Sequence, residues 1–305
     1  MLVNYGVKHV FGVPGDTSLA LYDALYEAEP AVKHILARDE RSASFMADAY
    51  ARLSHHPGVC ECPSGAGALY SVPGVAEANA SSIPVVLLSS GIPLRGEAKG
   101  TITELDHHKL FESITKWSSF LKLSGKIPET IRRAFRIATT GRPGAVHIAL
   151  PAETMTGTVD EDSDNFLVEP ECRTYPAYRP RGYKDTLKQF SDLLKNAEKP
   201  AIVVGGGANH SQAGNMLLEL AEKLDAPIVT AISGQGIIPD DHPLALGVIG
   251  DNGFHPHAMR TIEEADTLLY VGYCMRVGCQ RATTGSLVVD CRRAYPKTHL
   301  RRFGT

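Results

Sequence analysis

The 305-residue chain has little of several things, and each shortage removes a class of function. Its 31 Lys and Arg against 34 Asp and Glu leave a net charge of only −3, too balanced for the basic face that nucleic acid or an anionic membrane surface requires. No apolar run approaches the roughly 20 residues that cross a bilayer, and the N-terminus has no basic-then-apolar signal region, so the chain reads as cytoplasmic. Six cysteines (Cys60, Cys62, Cys172, Cys274, Cys279 and Cys291) are too scattered for a disulfide framework. Cys274 and Cys279 also lack the Cys-x-x-Cys spacing and histidine partners of a zinc site, so reduced, mostly buried thiols and no metal site are expected.

What is present is alternation. With 43% hydrophobic residues the chain has material for two packed cores, and its length suits roughly two domains. Strands are suggested at 9–11, 32–36, 58–62, 85–89 and 145–149, and helices at 17–28, 41–53, 66–80 and 128–140. That order predicts βαβ units on a parallel sheet. An acidic, proline-bearing stretch follows, with Asp160-Glu161-Asp162-Ser163-Asp164, Pro170, Pro176 and Pro180, and it reads as a linker. A second α/β unit then opens with a helix near 184–196, the strand Ala201-Ile202-Val203-Val204 and a helix over 211–224. The expected fold class is α/β, two doubly wound parallel-sheet, Rossmann-like domains at 1–155 and 184–305 joined by a linker at 156–183.

Two places invite a functional reading from the residues alone. Glu40 lies about a turn into an amphipathic helix that follows the strand His34-Ile35-Leu36-Ala37, with Ala43, Met46, Ala47 and Tyr50 at burial spacing. A carboxylate beyond the C-terminal edge of a parallel strand faces the crevice where open α/β sheets bind ligands, or it merely offsets the helix dipole. Gly205-Gly206-Gly207 after a strand looks like a dinucleotide turn, but the glycines are contiguous rather than spaced Gly-x-Gly-x-x-Gly. A tight strand-to-helix turn explains them without a ligand. The next strand closes on Ala231-Ile232-Ser233 with no acid, so a nucleotide-binding reading lacks its ribose partner.

The order of motifs carries more. Val10-Phe11-Gly12-Val13-Pro14-Gly15-Asp16, Arg38-Asp39-Glu40-Arg41, Pro63-Ser64-Gly65-Ala66-Gly67-Ala68 and Gly141-Arg142-Pro143-Gly144 are followed by Ala226-Pro227-Ile228-Val229-Thr230, Gly234-Gln235-Gly236-Ile237-Ile238-Pro239 and Glu264-Ala265-Asp266-Thr267. Over about residues 5 to 290 this resembles the pyrimidine-binding and central domains of thiamine-diphosphate enzymes of the acetolactate synthase group. The resemblance implies a decarboxylase or carboligase of 2-oxo acids in which Glu40 hydrogen-bonds the aminopyrimidine ring, so that the cofactor's own amino group can free the thiazolium carbon to attack the substrate. It implies Pro14, Gly15, Ser64 and Gly65 as cofactor contacts, Thr103, His107 and His108 as substrate-side residues, and a homo-oligomer, dimer or tetramer. The histidine pair reads equally as acid and base or as the polar start of a helix after Asp106.

Departures from the pattern shape the expectation. Thr103-Glu104 stands where acetolactate synthases carry Gln-Glu, and Cys274 stands where their flavin-binding Arg is found, with Arg276 two residues late, so FAD is not expected. No Gly-Asp-Gly followed by Asn-Asn occurs, so magnesium and the diphosphate are expected on a third domain that this sequence lacks. The chain is therefore expected to be inactive alone, completed by a partner subunit or missing C-terminal domain. Alternatives are one half of a split thiamine-diphosphate decarboxylase and a non-catalytic scaffold or regulatory paralogue.

Overall fold

The computed structural model describes residues 1–159, 166–250 and 255–273, and the backbone of 286–289. Chain packing divides it into two units, Met1–Tyr178 and Arg179–Thr305.

The first unit is built on six parallel strands: β1 (His9–Gly12), β2 (Lys33–Leu36), β3 (Gly58–Cys62), β4 (Val85–Gly91), β5 (Trp117–Phe120) and β6 (Val146–Pro151). Their order is β2-β1-β3-β4-β6-β5. Side chains alternate between the sheet faces, and two cores result. Val10, Val59, Val86 and Ile148 pack with Leu25 of α1 (Leu19–Glu27) and Phe135 of α5 (Ile127–Thr139). Phe11, Cys60, Cys62 and Leu87 pack with the alanines of α2 (Glu40–Ser54), with Ala68, Val75 and Ala78 of α3 (Ala66–Ala80), and with Phe111 of α4 (His107–Glu112). Cys60, Cys62 and Cys172 are buried free thiols.

Helices α2 and α3 approach at backbone contact. A Cβ added at Gly74 would stand 2.7 Å from the Phe45 amide nitrogen, so only glycine fits that crossing. Beyond the sheet, α6 (Ala152–Thr156) and the segment 166–178 complete the unit. Cys172 and Tyr175 are buried, and the Tyr175 hydroxyl donates to the Ala51 carbonyl at 2.9 Å. From residue 166 the proline-bearing stretch thus packs on the first unit as far as Tyr178. Strand β5, which the sequence did not suggest, is an edge strand whose four residues are all half-buried.

The second unit carries five parallel strands in the order β11-β10-β7-β8-β9: β7 (Pro200–Val204), β8 (Ile228–Thr230), β9 (Ala245–Val248), β10 (Thr267–Val271) and β11 (Ser286–Val289). Phe190 and Leu194 of α7 (Lys184–Lys195) join Leu217 and Ala221 of α9 (Gly214–Leu224) on one face, and Ala258 and Ile262 of α10 (Pro256–Glu264) cover the other. The helix expected over 211–224 is α9, which begins at Gly214, and a short helix that the sequence did not suggest, α8 (Gly206–His210), precedes it. The break falls at Gln212, whose φ of +54° no α-helix accepts. At the strand reversal between β7 and β10, the Gly207 amide donates to the Gly272 carbonyl at 3.0 Å and the Gly205 amide to Val271 at 2.9 Å. The glycine turn spends these donors on its own chain and opens a helix of only five residues, as a tight connection would. Among the described residues no helix is long and apolar enough to cross a membrane.

Candidate functional site

Because all strands of the first unit are parallel, the loops after β1, β2, β3 and β4 leave from one end of the sheet. The chain reverses direction between β1 and β3, and open sheets of this kind bind ligands at that reversal. The loops flanking it hold Pro14-Gly15 and Pro63-Ser64-Gly65. They touch: a Cβ on Gly15 would stand 2.5 Å from Pro63 Cβ. The Ser64 amide donates to Thr17 Oγ1 at 3.0 Å, which fixes one loop on the other.

Glu40 enters from the side. Asp39 caps α2 by accepting from the Ser42 amide at 2.7 Å, so the helix begins at Glu40 itself rather than a turn earlier. Glu40 is half-buried, and its carboxylate leans over the start of α3. A Cβ at Gly67 would meet Pro63 Cγ at 2.7 Å and Glu40 Oε1 at 2.9 Å, so the carboxylate occupies its place because Gly67 has no side chain.

Thr103 closes the group. Its hydroxyl lies 2.6 Å from Ser64 Oγ, and it sits against Gly65, whose φ is +67°. Thr103 itself holds φ +65°, a conformation costly for a β-branched residue. The neighbouring loop is held by Glu104, which accepts from the Thr101 amide at 3.0 Å and from Ala98; these bonds keep its carboxyl below the usual range. Pro14, Gly15, Glu40, Ser64, Gly65 and Thr103 therefore converge around Pro63.

His107 and His108 turn elsewhere. Asp106 caps α4 by accepting from the Lys109 amide at 3.0 Å, and the two histidines open the helix. Their ring hydrogen bonds run to Ser89 and Ser118 rather than to Glu40, Ser64 or Thr103. His107 is buried, and burial pushes it down to about 4 against the opposing pull of Asp106.

Glu61 was not foreseen. It is 1% exposed on β3, on the face opposite Cys60 and Cys62. One oxygen accepts from the Tyr22 hydroxyl, and that hydroxyl also lies 3.0 Å from His34 Nε2; the other oxygen is buried without a partner. Burial pushes the carboxyl up to about 7, the Tyr22 and Val13 hydrogen bonds oppose this, and the charge of Glu40 adds to it. The signal available in sequence was a single acid inside an otherwise apolar central strand, Gly58-Val59-Cys60-Glu61-Cys62. Cys274 and Arg276, on which the flavin expectation rests, lie outside the described residues. Among the described residues no three His, Cys, Asp or Glu side chains come together as a metal site would need.

Comparison with known proteins follows the same division of the chain. Residues 1–110 match the N-terminal TPP binding domain of thiamine pyrophosphate enzymes, and residues 187–286 match their central domain. The chain is 41% identical over 269 residues to a probable acetolactate synthase large subunit of Methanocaldococcus jannaschii, covering 88% of this chain and 44% of that protein. It is 35% identical over 277 residues to an acetolactate synthase of Arthrospira platensis, covering 89% and 47%. To the acetolactate synthase isozyme 3 large subunit of Escherichia coli K12 it is 34% identical over 297 residues, covering 96% and 50%. The chain spans about half the length of these relatives.

Proposed function

The chain belongs to the thiamine pyrophosphate enzymes, and on that premise we propose that its first unit forms the pyrimidine side of a thiamine diphosphate site, with Glu40 as the activating carboxylate. The observation that carries this reading is the placement of Glu40 Oε1 over Gly67, beside the Pro63-Ser64-Gly65 loop at the strand reversal. Two loops that meet with little side chain between them leave backbone at the surface for a flat ring to lie against, and the carboxylate of half-buried Glu40 beside them suits a ring nitrogen. Bound thiamine diphosphate supplies the electron sink for decarboxylating a 2-oxo acid.

In this reading Glu40 holds and returns a proton at the aminopyrimidine ring nitrogen. Pro14, Gly15, Ser64 and Gly65 would contact the ring, together with Thr103, which is pinned to Ser64. Likeness to the acetolactate synthase relatives favours decarboxylation and carboligation of 2-oxo acids. Magnesium and the diphosphate are assigned to residues other than these, on a second subunit or further domain that completes the pocket in an oligomer. No flavin is part of the proposal.

The test is Glu40→Gln, which keeps size and hydrogen bonding but cannot exchange a proton. The chain is supplemented with the part of the relatives that it does not span, together with thiamine diphosphate, magnesium and pyruvate. Carbon dioxide release should fall by roughly 10²–10⁴-fold, with deuterium exchange at the cofactor's thiazolium carbon falling in parallel and the circular dichroism unchanged. Exchange at the wild-type rate in the variant would remove Glu40 from this role.

A further inference from the structure

Four hydrogen bonds in series join five side chains of the first unit. His107 Nδ1 lies 2.8 Å from Ser89 Oγ, and Ser89 Oγ lies 2.7 Å from His147 Nε2. On the other side of the same ring, His147 Nδ1 lies 2.8 Å from Ser118 Oγ, which lies 2.9 Å from His108 Nδ1. The path leaves the start of α4, crosses β4, β6 and β5, and returns to the next residue of the same helix. Ser89 and His147 are fully buried and His107 is 4% exposed.

Counting hydrogens along this path leaves few arrangements. A neutral imidazole carries one N–H and a hydroxyl carries one O–H. Burial holds His107 and His147 below the ordinary histidine range, so both are neutral at pH 7. If His147 carries its hydrogen on Nδ1, it donates to Ser118, whose own hydrogen goes on to His108 Nδ1. Ser89 then donates to His147 Nε2 and must accept from His107 Nδ1–H. His107 is left with a bare Nε2, and neutral His108 with Nε2–H. If His147 carries its hydrogen on Nε2, every bond reverses and the two outer rings exchange roles. Interconversion shifts one proton across each of the four links, and the outer rings stay neutral only because His107 Nε2 takes up one proton from water while His108 Nε2 releases one, or the reverse.

We propose that Ser89, His147 and Ser118 couple the tautomers of His107 and His108 in opposition, so that one ring always offers a bare Nε2 and the other an Nε2–H. His147 is thereby the positioning residue of an acid–base pair at the start of α4. The coupling follows from the hydrogen-bond path alone. It does not rest on the function proposed above, and the test below involves no cofactor, so the two readings fail separately. One competing geometry exists: Ser118 Oγ is also 3.3 Å from the His108 carbonyl, the longest of these contacts. Were its hydrogen directed there, His147 and His108 would both donate to Ser118, and His107 and His108 would carry the same tautomer.

Two-bond 1H–15N correlation on the 305-residue chain, labelled with 15N-histidine, reads the tautomer of each ring; His107→Gln and His108→Gln assign the two signals among the 12 histidines. The Nε2–H fractions of His107 and His108 should sum to one over a range of temperatures. In Ser89→Ala the freed His107, and in Ser118→Ala the freed His108, should move toward the mixed tautomers of an exposed imidazole. Like tautomers in the wild-type chain overturn the proposal. So does a freed ring that keeps its wild-type fraction in both variants, which would leave the network a purely structural role. The wild-type measurement decides even if a variant fails to fold.

Discussion

The Ser64 and Thr103 hydroxyls, 2.6 Å apart and 39 residues apart in sequence, tie the loop after β3 to the loop after β4. Either oxygen serves as donor, so each hydroxyl needs the other.

Removing one hydroxyl should therefore nearly exhaust the effect of removing both. Ser64→Ala, Thr103→Val and the double variant form a cycle in which we expect a coupling of about 1 kcal/mol. Urea unfolding measures it. Proteolysis within residues 92–106 should accelerate in all three, since an unpinned Thr103 has nothing to hold φ at +65°. Strict additivity would show that the contact contributes nothing.

Glu61 gives the chain a pH dependence of defined sign. Its carboxyl rises from the ordinary 4.5 to about 7 in the folded state. Between those values the folded chain keeps a proton that the unfolded chain has released, so this group's contribution to stability falls as pH rises from about 4.5 and is lowest above about 7. Glu61→Gln keeps an oxygen for Tyr22 and removes the charge. The variant should melt higher than the wild type at pH 8, with the advantage shrinking to nothing near pH 4.5. Thermal unfolding across that range checks it, and a variant less stable at pH 8 would show that the carboxylate has a partner.

Gly67→Ala sets helix propensity against packing. Alanine favours a helix by about 1 kcal/mol, but its Cβ would press on Pro63 and on Glu40. We expect a net loss of about 1–2 kcal/mol, whereas Gly125→Ala, which meets nothing within 4 Å, should be close to neutral. Denaturant midpoints compare the two.

The candidate site was legible where chemistry coincides with punctuation. Pro14-Gly15 and Ser64-Gly65 are turn residues directly after apolar strands, and Glu40 follows a capping Asp39, so loop positions and residue types mark one another. The interior polar groups had no such marker. Glu61 and His147 each sit singly in a buried strand, and their partners Tyr22, Ser89 and Ser118 lie 39, 58 and 29 residues away, which no local window spans. The edge strand β5 escaped because Trp117-Ser118-Ser119-Phe120 neither alternates nor runs apolar. The start of α9 at Gly214 rather than Ser211 depends on a single left-handed backbone at Gln212, a residue with no special preference for it.

The contact at Gly74 has an evolutionary side. With Phe45 N 2.7 Å from where a Cβ would stand, α2 and α3 cannot be re-spaced by single substitutions at their crossing. Their N-terminal ends, which bear Glu40 and the Pro63-to-Gly67 turn, therefore inherit a fixed separation. Exposed positions on the same helices, such as Leu53 and Tyr70, are free to drift. A lineage can thus diverge over most of the surface of these helices while the gap between carboxylate and turn stays constant.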